Sequence, residues 1–233
     1  TDLGTLGGSN GWANGISDTG FIVGTSETTE VDDAGNPIER AFLWRDGIIQ
    51  ELESLGGDGS EARAVNSFGQ TVGWATDSAG NTKATLWLVE PAFGLAAGVH
   101  DLGTDGCPEA EAFDINESGQ IVGSVRRGVF LWLPTPAFGL PSGMNALTDG
   151  TYCSDYSSSV GLNDYGEIVY VNQVWLPAPR HGRPSEWSAV WYFAYDYYHY
   201  AADISNDGLV IAQYYPFAGT YAVAKYADAP LGT

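Results

Sequence analysis

The sequence predicts an all-β protein, a five-bladed β-propeller of four-stranded antiparallel blades. Three observations predict it. A motif recurs five times at intervals of 42 to 50 residues, the span of one propeller blade. The recurring elements are short, rich in β-branched and aromatic residues, and bounded by glycine, asparagine and aspartate. No stretch between those breakers sustains apolar residues at helical spacing.

The first and second strands of each unit flank a tight turn. Gly15-Ile16-Ser17-Asp18-Thr19-Gly20-Phe21-Ile22-Val23-Gly24 has counterparts at 64–73, 114–123, 161–169 and 203–211, so the shared glycine falls at positions 20, 69, 119, 166 and 208. Asn-x-x-Gly suits a hairpin because the asparagine side chain bonds the backbone ahead of it and glycine accepts a positive φ. The first strand keeps a small residue at one position (Ala13, Ala62, Ala112, Ser159, Ala201), as crowding near a propeller axis demands. The third strand is an apolar run ending near tryptophan: Ala41–Trp44, Ala84–Trp87, Val129–Trp132 and Ala189–Trp191, with Tyr221–Ala224 as the last copy. The fourth, outermost strand is assigned to Asp2-Leu3-Gly4, Glu53-Ser54-Leu55-Gly56, Asp101-Leu102-Gly103 and Asn145-Ala146-Leu147. The units run approximately over 6–55, 56–104, 105–148, 149–195 and 196–228. Residues 1–5 are expected to close the ring by adding a strand to the last blade, with Leu231-Gly232-Thr233 as the rival for that slot.

Composition narrows the partners. Nine Lys and Arg against 29 Asp and Glu leave a net charge of −20, which repels nucleic acid phosphates and anionic lipid headgroups. With 44% hydrophobic and 13% aromatic residues, the chain has the composition of a folded core rather than an acidic tail. No run approaches the ~20 apolar residues of a membrane span. No charged-then-apolar leader is present, and the start at Thr1 inside a repeat motif reads as a processed mature form.

Arg40-Ala41-Phe42-Leu43-Trp44, the Ile-Asn-x-x-Gly-x-Ile-Val-Gly strand pair and Asp2-Leu3-Gly4-Thr5-Leu6-Gly7-Gly8 resemble the HAF repeats of extracellular bacterial proteins. The likeness is strongest over residues 1–133. It implies an exported, β-rich repeat protein and carries no general catalytic assignment. Arg40 and Lys83 stand where the family has a histidine, so no role of that histidine transfers.

Cys107 and Cys153 occupy equivalent entry loops of adjacent units. In an oxidising compartment a Cys107–Cys153 disulfide is expected, the alternative being two free thiols. Their spacing makes no zinc motif. Motifs for metalloprotease, serine hydrolase or nucleotide chemistry are absent, and His100, His181 and His199 lie far apart, so no catalytic residue is assigned. Carboxylates at or near the first strands (Glu61, Glu109, Glu111, Asp114, Asp155, Asp203) keep a glycoside hydrolase open as an alternative. No cofactor is expected. The loops Asp32–Asn36 and Asp77–Asn81 offer oxygen ligands for calcium, but turn chemistry explains the same residues. Asn116-Glu117-Ser118 fits a glycosylation sequon that coincides with the turn of the repeat.

The candidate ligand-binding residues are Trp12, Glu61, Arg63, Glu109, Glu111, Tyr152, Asp155, Tyr156, Tyr198 and His199. Aromatic faces beside carboxylates and amides hold neutral sugars or exposed peptides, although packing between blades claims such aromatics equally well. The resulting expectation is a secreted, non-enzymatic binding or adhesion module for a glycan or protein surface, with self-association open. The alternatives are a structural subunit of a matrix, surface layer or filament, and the glycoside hydrolase.

Overall fold

The structure, a computed structural model, describes residues 1–104, 107, 109–125, 128–148, 160–170, 173–179, 185–189, 198–215 and 221–226. Among these there is no helix, and the strands form five antiparallel sheets, each a meander in chain order. The first sheet comprises β1 (Gly7–Ile16), β2 (Ile22–Val31), β3 (Pro37–Arg45) and β4 (Ile48–Glu51). The second comprises β5 (Gly56–Val65), β6 (Thr71–Asp77), β7 (Thr82–Leu88) and β8 (Gly98–Asp101). β9 (Ala110–Ile115), β10 (Ile121–Val125), β11 (Gly128–Leu133) and β12 (Gly143–Ala146) make the third. β13 (Val160–Leu162), β14 (Ile168–Tyr170), β15 (Gln173–Leu176) and β16 (Glu186–Ala189) make the fourth. In the fifth, three strands are described: β17 (Tyr198–Ile204), β18 (Leu209–Tyr215) and β19 (Tyr221–Tyr226).

The predicted turns form as the asparagine chemistry requires. Asn66 Oδ1 accepts the N–H groups of Phe68 and Gln70, and Gly69 closes the turn at φ +75°. The same arrangement recurs at Asn116 and Asn163.

Each sheet packs on the next one along the chain, and the core is divided among these joints. Val23, Ala41 and Leu43 of the first sheet meet Ala62, Val65 and Trp87 of the second. Val72, Ala84 and Leu86 then meet Ala112, Ile115 and Phe130, and Val122, Val129 and Leu131 meet Val160, Leu162 and Ile168. Because side chains alternate across a strand, every sheet has a leading face toward its predecessor and a trailing face toward its successor. The first strand of each later sheet is the element that meets the sheet before it: β5 contacts β1, β2 and β3, β9 contacts β5, β6 and β7, β13 contacts β9 and β10, and β17 contacts β13 and β14.

Three expectations need correction. The outermost strands hold only the front of the acidic-Leu-Gly motifs: β8 ends on Asp101 and β12 on Ala146, while β4 ends at Glu51, ahead of Glu53. Leu52, Leu102 and Leu147 follow those strands, and each donates its N–H back to the third strand, at Ala41, Ala84 and Val129 respectively; Leu52 and Leu102 are plugs in the joint core. In the fourth sheet the tryptophan-bearing third strand is Gln173–Leu176, with Trp175, while Ala189 ends the fourth strand. Residues 1–5 take no strand conformation; Asp2 caps a local turn at Gly4, and Leu6 N–H bonds Ser26 Oγ.

Candidate functional site: a charged rim on the first strands

The close approach of the first strands brings polar side chains of three sheets together. Glu61 and Arg63 lie on β5, Glu111 on β9 and Asn14 on β1. Arg63 Nη1 donates to Glu111 Oε2 at 2.8 Å and Arg63 Nε to Glu61 Oε1 at 3.3 Å. Trp74 Nε1 holds the other Glu61 oxygen at 3.1 Å, and Asn14 Nδ2 reaches Glu61 Oε1 and the Ala62 carbonyl. The guanidinium lies 4.3 Å from the centroid of the Phe113 ring, within cation–π range. All three charges are partly buried, where ion pairs and ring contacts are less screened than on an open surface.

The structure thus unites three of the residues singled out from sequence, Glu61, Arg63 and Glu111. Trp12 is half exposed and occupies the β1 position that matches Glu61 and Glu111, opposite Thr25 as they are opposite Trp74 and Ser124. Glu109 is partly buried, just before β9. Tyr198 and His199 open β17, with backbone partners Tyr215 and Tyr214. Tyr152, Asp155 and Tyr156 lie outside the described residues, as do His181 and Trp191.

The disulfide is not found. Cys107 is a free, buried thiol packed with Leu102 and Ala110 in the joint of the second and third sheets, where it acts as a small apolar side chain. Cys153 is outside the described residues. In the loops considered for calcium, the carboxylates serve their own turns. Asp32 accepts the N–H groups of Ala34 and Asn36 and both contacts from Asn36 Nδ2. Asp77 does the same with Ala79 and Asn81, with Lys83 at 3.7 Å. Those bonds hold both carboxyls below their ordinary range, the asparagine contact first. Asn116 is buried with its Nδ2 engaged, so the sequon is not presented to solvent.

Two features were missed from sequence. One is a ladder of buried asparagines. Asn66 Nδ2 bonds Gln70 Oε1 within its turn and the Asn116 carbonyl in the next sheet. Asn116 bonds Gln120 and the Asn163 carbonyl, and Asn163 bonds Glu167 and the Ser205 carbonyl. The other is the pentapeptide Pro-Ala-Phe-Gly-Leu, repeated at 91–95 and 136–140. Its phenylalanines sit at φ +57° and +55°, a conformation bulky residues rarely adopt. Each ring reaches the next sheet, meeting Trp132 or Trp175 edge-on at about 6 Å and covering Gly119 or Gly166. An identical pentapeptide at the same place in two units was the available signal.

Asp114 links the first strands further round. Its carboxylate accepts the N–H of Ile115 at 2.8 Å and of Leu162, in the next sheet, at 2.9 Å. Burial pushes its carboxyl up to about 7; Asp203 adds to the rise and the two N–H donors oppose it. Asp203 is also raised by burial, although more of that residue meets solvent.

No family model matches the chain, and no curated protein does.

Proposed function

We propose that the protein is an extracellular, non-enzymatic binding or adhesion module whose ligand, a neutral glycan or a protein surface, is held on the rim formed by Trp12, Asn14, Glu61, Arg63 and Glu111. The observation that carries this reading is the preorganised cluster at Arg63, clamped between two glutamates, with a half-exposed tryptophan at the matching position of β1. Its cation is already shared by two carboxylates, so the rim has no spare positive charge for an anionic ligand. It offers fixed donors and acceptors next to an aromatic platform, the combination that suits hydroxyl groups on an apolar sugar face. Both glutamates are committed to Arg63, with Trp74 and Asn14 on Glu61, an arrangement for recognition rather than proton transfer. The contacts between successive first strands support the finer architectural reading, in which the sheets stand radially as propeller blades with this rim on the inner side. The resemblance to HAF repeats supports an exported setting.

Binding to arrayed neutral glycans and to immobilised extracellular proteins tests the proposal. Trp12→Ala is expected to weaken binding at least about fivefold with the thermal midpoint unchanged within about 2 °C, since loss of one aromatic contact at a binding site is worth about 1–3 kcal/mol. Unaltered binding by that variant, or no ligand across both panels, overturns it.

A further inference from the structure

The turns that join the first and second strands form a linked belt at one end of the sheets. All five close in the same way, the glycine N–H donating to the carbonyl that opens the turn: Gly20 to Ser17, Gly69 to Asn66, Gly119 to Asn116, Gly166 to Asn163 and Gly208 to Ser205. Each tip is then tied to the next. Thr19 Oγ1 donates to the Ser67 carbonyl at 2.8 Å, and Ser67 N–H to the Glu117 carboxylate at 3.0 Å. Glu117 N–H donates to Asp164 Oδ1 at 3.1 Å, Asp164 N–H to Asn206 Oδ1 at 2.9 Å, and Asn206 Nδ2 returns to Asp164 Oδ2 at 2.8 Å. Every tie joins one sheet to the next, so the belt keeps its shape whatever lies beyond the first and fifth sheets.

The third position of the turn carries residues that turn chemistry does not explain. Thr19, Ser118 and Asp207 occupy it in three units, so the turn has no need of an aromatic there. Phe68 and Tyr165 occupy it in the second and fourth, and they are 63% and 53% exposed. Between them, on the tip of the third sheet, stand exposed Glu117 and Ser118, and Asp164 is exposed beside Tyr165. An isolated surface aromatic is ordinary. Two at the same repeat position, on tips locked by hydrogen bonds and bracketing two carboxylates, are a presented pair. No Lys or Arg occurs in any of the five turns, which hold Asp18, Glu117, Asp164 and Asp207. Arg45, which lies over the Phe21 ring just past the first turn, is already paired with Asp46 at 3.4 Å.

We propose that this belt is a second interaction surface, which docks a basic segment of a partner protein: arginine or lysine side chains lie over the Phe68 and Tyr165 rings and against the Glu117 and Asp164 carboxylates. Charge complementarity specifies the occupant. An aromatic face attracts a guanidinium or ammonium group, and the carboxylates between the two rings add ion pairs to the same segment. The chain makes this contact internally, with Arg45 at 4.2 Å from the Phe21 centroid and Arg63 at 4.3 Å from that of Phe113. Because the tips are tied before any partner arrives, docking carries little ordering cost on this side. A second copy of the chain is a poor occupant, since each copy carries a charge of −20. The surface is separate from the rim of Trp12, Glu61, Arg63 and Glu111, which lies within the first strands, whereas the belt lies beyond their C-terminal ends.

Fluorescence anisotropy with a short labelled peptide alternating arginine and serine, and with its glutamine-for-arginine counterpart, tests this on the whole chain. The arginine peptide is expected to bind, more weakly as salt rises, and the glutamine peptide is not. Phe68→Ser and Tyr165→Ser install the residue that the third sheet already carries at Ser118. Each is expected to weaken binding about threefold and the pair about tenfold, with the thermal midpoint unchanged. Phe68→Leu keeps the apolar bulk without the ring and is expected to lose as much as Phe68→Ser. Glu117→Gln keeps an oxygen for the Ser67 N–H and is expected to flatten the salt dependence. Trp12→Ala is expected to bind the peptide as the wild type does. Equal binding by the wild type and the Phe68→Ser, Tyr165→Ser pair assigns the attraction to the general charge of the chain and overturns the proposal. So does an arginine peptide that fails to bind, or a glutamine peptide that binds as well. Loss of binding in Trp12→Ala places the peptide on the rim instead, and growth of mass with concentration that Phe68→Ser abolishes makes a second copy the occupant; either result also overturns it.

Discussion

At the residue scale the joints are decided by what lies above a turn glycine. Gly20 and Gly166 have the same left-handed backbone, φ +84° and +78°, and the same place in the repeat. A Cβ on Gly166 would come within 2.7 Å of the Phe138 ring, while one on Gly20 would meet open space. The strain of a left-handed alanine, about 1 kcal/mol, is common to both substitutions. Gly20→Ala is therefore expected to cost about that much, and Gly166→Ala about 2–3 kcal/mol more, because the ring must leave Trp175. Denaturant midpoints for the two variants decide it; equal losses would show that the ring yields freely. Phe138 itself occupies a backbone region costly for an aromatic, and the contact it gains across the joint offsets that cost.

At the element scale the asparagine ladder does more than shape hairpins. Removing Asn116 breaks the bonds to Gln120 Oε1 and the Asn163 carbonyl, and frees the N–H groups of Ser118 and Gln120, at a buried position. Leaving buried polar groups without partners costs about 1–3 kcal/mol each before relaxation. Asn116→Ala is expected to cost about 3 kcal/mol, against roughly 0.5 kcal/mol for Asn36→Ala on the exposed Asp32 loop. Chemical denaturation measures both, and similar small losses would mean that water replaces the rung. The hairpins were legible in sequence because Asn-x-x-Gly encodes a local turn. The ladder was not, since its second bond goes to a carbonyl 42 to 50 residues away and depends on how sheets stack. The same reason displaced the outermost strand. Leu55 and Leu102 sit in look-alike motifs, yet the leucine matching Leu102 in the first sheet is Leu52, as its bond to Ala41 shows. Of the candidate site, Glu61, Arg63 and Glu111 were legible because one first-strand position recurs near them in each unit. Their pairing across sheets, and Asn14 and Trp74 as partners, required the inter-sheet register.

At the scale of the whole molecule, stability against pH is governed by carboxylates of opposite behaviour. Asp114 ties the third sheet to the fourth through Leu162, and its carboxyl titrates at about 7 in the folded chain, against an ordinary 3.8. Between those values the folded chain holds a proton that the unfolded chain has released. The unfolded state then binds fewer protons, so stability falls as pH rises through this window. Asp203 contributes in the same direction. Glu27, Asp32 and Asp77 are lowered by hydrogen bonds, so their contribution is present above the ordinary carboxylate range and is lost as pH falls through it. The two groups together place maximal stability in mildly acid solution, near pH 5. After allowance for the partial exposure of Asp114, the change between about pH 5 and pH 7.5 amounts to roughly 1–2 kcal/mol, or about 4 °C in Tm for a chain of this size. Asp114→Asn cannot ionise and keeps an oxygen for one of the two N–H groups, so it is expected to flatten the profile above pH 5 while leaving the acid limb unchanged. Thermal unfolding of wild type and variant at constant ionic strength measures this. An unchanged slope in the variant would assign the pH dependence to the general charge of −20 instead of to the Asp114–Leu162 link.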